Sequence, residues 1–263
     1  MRDAAAKEWL ETSLLRALHR CNAAAYHAGR VGLLVQEREA AALRSAKDRA
    51  EDVPPRPGMV ATFRLRSTSV DDLLFDVDAF LAAARSCLDF AASVIAPHLG
   101  MDRRTSMTTL LKSHMNVTHC SFAVLPRWRE WITQLMAYRD TCVDHVTLRA
   151  ASGHELVYEN GTVVCAMMPI GLEKVISKST RDTRSLRHAV LQEDVSKGLE
   201  RRESQRSITL PDGPKVTRRK ITYAVAPGYV RVERFCEDHH RQLERFLVDL
   251  LNEAAQATFK TTS

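Results

Sequence analysis

The chain lacks most of the short signatures that mark an enzyme class. It has no Cys-x-x-Cys pair and no two histidines at helical i, i+4 spacing with a glutamate between them. It also has no Gly-rich phosphate loop, no Gly-x-Ser-x-Gly elbow and no dinucleotide fingerprint. Zinc, nucleotide-driven and serine-hydrolase chemistry are therefore unsupported, and neither a metal nor a cofactor is expected. His114, His119 and Cys120, or His239 and His240, are the residues nearest to a ligand set. An amino-terminal hydrophobic signal is missing, as is any apolar run approaching the roughly 20 residues needed to cross a bilayer. The expectation is a cytoplasmic protein without membrane contact. Lysine is scarce, with nine against 29 arginines, and there is no internal repeat or low-complexity tract.

What is present suits a sizeable core. The 263 residues are 45% hydrophobic and 27% charged, enough for one or two domains. The net charge of +6 is spread along the chain, so it permits a phosphate-bearing partner without demanding one. The six cysteines, Cys21, Cys87, Cys120, Cys142, Cys165 and Cys236, lie far apart, most of them among apolar neighbours. They read as small buried hydrophobes with free thiols.

Apolar periodicity divides the chain. Residues 1–52 form an amino-terminal helix or helix pair, with Trp9, Leu14, Leu18, Cys21 and Ala25 recurring at helical steps and Gly29 and Gly32 as a weak point. The prolines of 53–58 make a connector. Residues 59–145 supply a bundle core, beginning with a short extended piece. Its strongest helix follows Ser69 and carries Leu73, Val77, Phe80, Leu81, Ala84, Leu88, Ala91 and Ile95 on one face. A shorter helix falls at 105–116, and Pro126 starts another in its first turn. Beyond residue 145 the period changes to two. Residues 146–149, 155–158 and 162–168 read as strands around a hairpin at Asn160-Gly161. Residues 171–215 read as a charged loop with some helix, closing on a Pro211–Pro214 turn, and 216–226 as a third strand. After Pro227-Gly228, residues 229–258 complete the bundle. The fold class expected is mainly α: an antiparallel helical bundle with a small antiparallel sheet inserted before its last helix.

The most informative pair is Arg139 and His145, in Ala137-Tyr138-Arg139-Asp140-Thr141-Cys142-Val143-Asp144-His145. At about 100° per residue, Arg139 falls within the stripe of Trp128, Trp131, Ile132, Leu135, Cys142 and Val143. A guanidinium there needs an acceptor, a phosphate or a wet cleft. The pair fits Arg-x(4–6)-His, and in this setting of aromatic-Arg-Asp, an apolar pair and His it resembles the HEPN superfamily of helical-bundle proteins, many of them ribonucleases. The helix from Asp78 to Asp89 is similar to the partner helix of such bundles. The likeness covers about residues 70–150, the terminal helices loosely and the strands not at all.

Six pairs in the chain satisfy the bare spacing: Arg20/His27, Arg139/His145, Arg149/His154, Arg181/His188, Arg234/His239 and Arg234/His240. Composition alone gives about three. The core-facing position of its arginine singles out Arg139/His145. His239, on the apolar stripe of the last helix, reads as a packed, hydrogen-bonded core histidine. The resemblance implies a metal-independent endoribonuclease, a toxin or antiviral effector acting on RNA, working as a homodimer and met by a partner or antitoxin protein. In it Arg139 binds phosphate, His145 transfers protons, Asp140 or Asp144 orients the imidazole, and Asp89, with Arg85 beside it, holds Arg139. Arginine offers two parallel donors to phosphate, and histidine titrates near neutrality. Six residues apart on one helix, the two side chains would diverge by about 120°. The helix therefore ends or loosens near Cys142, or a second copy completes the site. Two alternatives stay open: a structural ion pair of Arg139 with Asp89 or Asp78, with His145 capping the helix; and a non-catalytic binding module contacting a partner protein or nucleic acid.

Overall fold

The computed structural model describes residues 2–52, 60–66, 71–113, 123–142, 153–159, 162–173, 199–209 and 215–260. Helix α1 runs unbroken over Arg2–Asp52, and α2 covers Asp71–Ile95. Gly29 and Gly32 do not divide α1, since helical propensity costs each glycine only about 1 kcal/mol and tertiary packing overrides it. From Ala17 to Val35 the buried positions of α1 are Ala17, Cys21, Ala24, Ala28, Val31 and Val35, a four-three alternation. On α2 the same alternation runs through Leu73, Val77, Phe80, Ala84, Cys87 and Ala91. Two stripes at 3.5-residue spacing pack as a seam along their whole length. Cross-pairs fix its direction: Arg38 meets Asp72, and His27 and Arg30 meet Asp76 at 2.8 and 3.5 Å. The helices are antiparallel.

Pro97 and the left-handed Gly100 (φ 70°) end this pair through a 3-10 turn at Ala96–Leu99. Helix α3, Met107–Ser113, and helix α4, Val124–Cys142, follow. The last helix, α5, spans Val232–Lys260. It runs antiparallel to α4: Asp249 lies by Trp128, and Phe235 lies by Tyr138. Glu253 accepts the backbone N–H of Val124 at 3.0 Å, satisfying one of the orphan donors that begin a helix. The molecule is mainly helical with small antiparallel sheets. The run Asp72–Leu99 is apolar and long enough to pass for a membrane span, contrary to the reading that no such run exists, yet 61% of its apolar 18-residue stretch is buried inside the molecule. It is the core helix of the bundle, and Phe80, Leu81 and Leu88 are fully buried in it.

The strands are β1 (Val60–Arg66), β2 (Gly153–Glu159), β3 (Thr162–Met168), β4 (Gly171–Glu173), β5 (Leu199–Thr209), β6 (Lys215–Val225) and β7 (Tyr229–Arg231). They form a three-stranded sheet in the order β1-β2-β3 and two two-stranded ribbons, β4-β7 and β5-β6. Glu159 pairs with Thr162, in the register of a two-residue hairpin. Two expectations need correction. The sheet is not wholly an insertion before the last helix, because β1 precedes α2 and pairs with β2. The stretch read as a charged loop holds β4 and the eleven-residue β5. Strand β5 has little apolar alternation of its own; pairing with β6 over eleven positions defines it. Strand 146–149 and the Pro211–Pro214 turn lie outside the described residues.

Candidate functional site

The carboxyl half of α4 carries the predicted centre. Trp131, Ile132, Leu135, Met136 and Tyr138 are buried, so the expected stripe is real up to the last turn. Arg139 sits at its margin, its side chain 30% exposed, and donates to the Asp140 carboxylate at 3.4 Å. It is neither a fully buried cation nor a solvated one. Half-buried guanidinium keeps most of its charge available to an anion while losing part of its hydration. Asp144 and His145 lie outside the described residues, as do His114, His119 and Cys120.

The α2 carboxylates are placed differently from one another. Asp89 Oδ2 accepts from Arg85 Nε at 3.1 Å, Asp89 Oδ1 accepts from the Met107 N–H at 2.9 Å, and Arg85 Nη2 donates to Thr108 Oγ1 at 2.6 Å. Arg85 and Asp89 thus clamp the start of α3. The aromatic contacts place Arg139 at another level: Phe235 touches Tyr138 (4.6 Å between centroids) and Phe80 (6.3 Å). From Phe80 to Asp89 is about 14 Å along the helix axis. The supporting role expected of Asp89 and Arg85 beside Arg139 therefore gives way to a structural one at α3.

Asp78 is the carboxylate of α2 nearest the Phe80 level. It is half-buried, its Oδ1 has no hydrogen-bond partner among the described residues, and burial alone pushes its carboxyl up to about 6. Desolvation disfavours the charged form, and nothing described there repays it. The sequence showed Asp78 on a polar line flanking the stripe; its lack of a partner is a tertiary fact.

His239 occupies the core, as its position on the stripe of α5 indicates. Its ring packs among Trp131, Tyr138 and Phe235, with centroids 6.4, 5.7 and 4.5 Å away. Trp131 Nε1 donates to His239 Nδ1 at 3.0 Å, which puts the remaining ring proton on Nε2. Burial holds the imidazole down to about 4. A neutral, immobilised ring of this kind supports packing and does not suit proton transfer near neutrality.

Among the described residues no group of three or more His, Cys, Asp or Glu side chains converges as a metal site. The described cysteines Cys21, Cys87, Cys165 and Cys236 are free thiols. In comparisons with known proteins, no family model matches the chain, and neither a similar curated protein nor a similar solved structure was found.

Proposed function

We propose that the chain is a HEPN-like helical-bundle protein that cleaves RNA without a metal, as a toxin or antiviral effector. Its centre lies at the carboxyl end of α4. Arg139 binds the scissile phosphate, Asp140 steadies the guanidinium, and His145 moves protons between the 2′-hydroxyl and the leaving oxygen. The observation that carries this reading is a half-exposed arginine at the margin of a buried stripe, in the last turn of α4. A second copy completing the groove fits the exposed apolar residues Leu15, Tyr26 and Leu33 of α1, which fall on one line of the helix.

The test is RNA incubated with purified full-length protein in excess chelator. Cleavage is expected, with a loss of at least about 100-fold in His145→Ala and a similar loss in Arg139→Ala. Activity that survives His145→Ala with its fold intact, or that disappears on adding chelator, would remove the assignment.

The second reading, a binding module without chemistry, rests on the β5–β6 ribbon. Its register pairs Ser204 with Lys220 and Arg202 with Thr222, all of one parity and therefore on one face. Arg202 and Lys220 on that face are exposed. Arg202 pairs with Glu200 of the same face at 2.9 Å, and on the other face Arg201 and Arg219 both engage Glu203 while Arg201 reaches Glu155 at 3.0 Å. An exposed Lys220 on this face suits contact with a phosphate backbone. RNA retained by the protein but left intact, and released by Lys220→Glu, would favour this reading.

A further inference from the structure

Three helices meet at a pair of thiols. The antiparallel register set by Arg38–Asp72 and His27–Asp76 brings Cys21 of α1 opposite Cys87 of α2, with Ala17 and Ala24 flanking one and Ala91 and Ala84 the other. Alanine on both sides lets the backbones approach closely, which a disulfide between helices requires. Of the groups around the Cys21 sulfur, Cys87 acts on it most strongly. From α5, His240 Nε2 stands 4.0 Å from Cys21 Sγ, and its Nδ1 stands 3.8 Å from Glu244. The imidazole thus has the sulfur near one ring nitrogen and a carboxylate near the other, the order nucleophile, base, third group.

We propose that Cys21 and Cys87 form a peroxide-sensitive dithiol in which His240 hydrogen-bonds the attacking Cys21 sulfur and Cys87 resolves the product, locking α1 to α2. A groove of about 440 Å³ reaches His240 beside it, with Ala25, Ala28, Gly29, Gly32 and Glu244 among its lining. Two glycines and two alanines leave the ring approachable, one turn along α1 from Cys21. Both sulfurs are buried, so a reagent as small as hydrogen peroxide is favoured over a bulky one.

The chemistry balances. The Cys21 thiolate attacks one peroxide oxygen, forming S–O as O–O breaks. The leaving hydroxide takes the proton of the His240 imidazolium and departs as water. The Cys87 thiol then attacks the sulfenic sulfur, forming S–S as S–O breaks, and its proton leaves in a second water. Two thiols are oxidised to one disulfide and one peroxide is reduced to two waters. The local electrostatics agree: two donors, Cys87 first and His240 next, draw the Cys21 thiol down to about 6 against the effect of burial, while Cys87 is pushed up. The thiolate is concentrated on the sulfur that His240 faces.

The experiment treats the full chain with hydrogen peroxide at neutral pH in excess chelator, followed by non-reducing peptide mapping. A Cys21–Cys87 linked peptide is expected, lighter by two hydrogens. Cys236, buried and pushed up by its surroundings, serves as the internal control and stays reduced. Cys87→Ser, or Cys87→Ala if the first fails to fold by circular dichroism, is expected to abolish the link and accumulate oxygen on Cys21. His240→Gln is expected to slow Cys21 oxidation by at least about tenfold with its melting temperature little changed. Oxidation of Cys165 or Cys236 while Cys21 and Cys87 stay as thiols overturns the proposal. So does Cys21 oxidation that never proceeds to the link, or an unchanged rate in His240→Gln.

Discussion

Acid destabilisation through His239 can be worked out quantitatively. The ordinary histidine value is 6.5, and burial holds His239 at about 4 in the folded chain. Between those two values the unfolded chain binds a proton that the folded chain refuses. Stability therefore rises with pH across the window, is fully recovered above about 6.5, and is lost as pH falls toward 4. The gap corresponds to about 3 kcal/mol in the limit and about 2 kcal/mol between pH 7 and pH 5. Asp78 works in the opposite direction. Its carboxyl is raised from 3.8 to about 6, so the folded chain binds the extra proton and gains stability as pH falls through that range. His240, raised by its Cys21 hydrogen bond, has the same sign as Asp78. The wild-type profile alone would mix these effects, so the measurement is a difference. His239→Gln keeps an acceptor for the Trp131 indole N–H but carries no titrating group. Urea unfolding followed by tryptophan fluorescence, at pH 7 and pH 5, is expected to show wild type losing about 2 kcal/mol more than the variant. If the two proteins shift in parallel within about 0.5 kcal/mol, His239 is not the buried neutral ring described here, and the account of the aromatic cluster fails.

Three further outcomes follow from packing. Gly29→Ala is expected to stabilise the protein by about 0.5–1 kcal/mol in thermal or urea unfolding, because a Cβ there meets nothing within 4 Å and the residue sits in an unbroken helix; a loss would mean that the groove cannot take a methyl group. Arg201→Ala removes a partner from Glu155, whose side chain is 1% exposed, and is expected to cost about 3 kcal/mol, much of it restored by adding Glu155→Gln in a double-mutant cycle. Asp249→Ala strips the acceptor from Trp128 Nε1 (2.8 Å) and Arg127 (3.0 Å). It is expected to cost about 1–2 kcal/mol and to alter tryptophan emission, with Asp249→Asn recovering most of the stability.

Much of this fold can be read from local pattern, and the reason is physical. A stripe such as Leu73, Val77, Phe80, Ala84 and Cys87 has one way to bury itself, so α2 and its packing face follow from spacing alone. The same holds for α5, where the stripe correctly marked His239 as a core residue, and for the Asn160-Gly161 hairpin, whose turn chemistry sets the register of the strands around it. Strand β5 shows the opposite case. Its residues Leu199-Glu200-Arg201-Arg202-Glu203 carry no apolar alternation, and they form a strand because β6, with Arg219 on it, and the Glu155 carboxylate supply partners from elsewhere in the chain. A reading confined to neighbouring residues sees only charge and assigns a loop.

The amino-acid order by itself determined where the main helices lie and which faces they bury, because those depend on the 3.6-residue turn and on nothing distant; it set Arg139 within the apolar stripe, and packing moved it to the margin. Tertiary structure alone decided which charges meet. Asp89 went to the start of α3, Asp78 kept an unsatisfied oxygen, and two cysteines 66 positions apart came together beside His240. Pairing energies between side chains depend on separations of a few ångströms across helices, and that information appears only once the helices have packed.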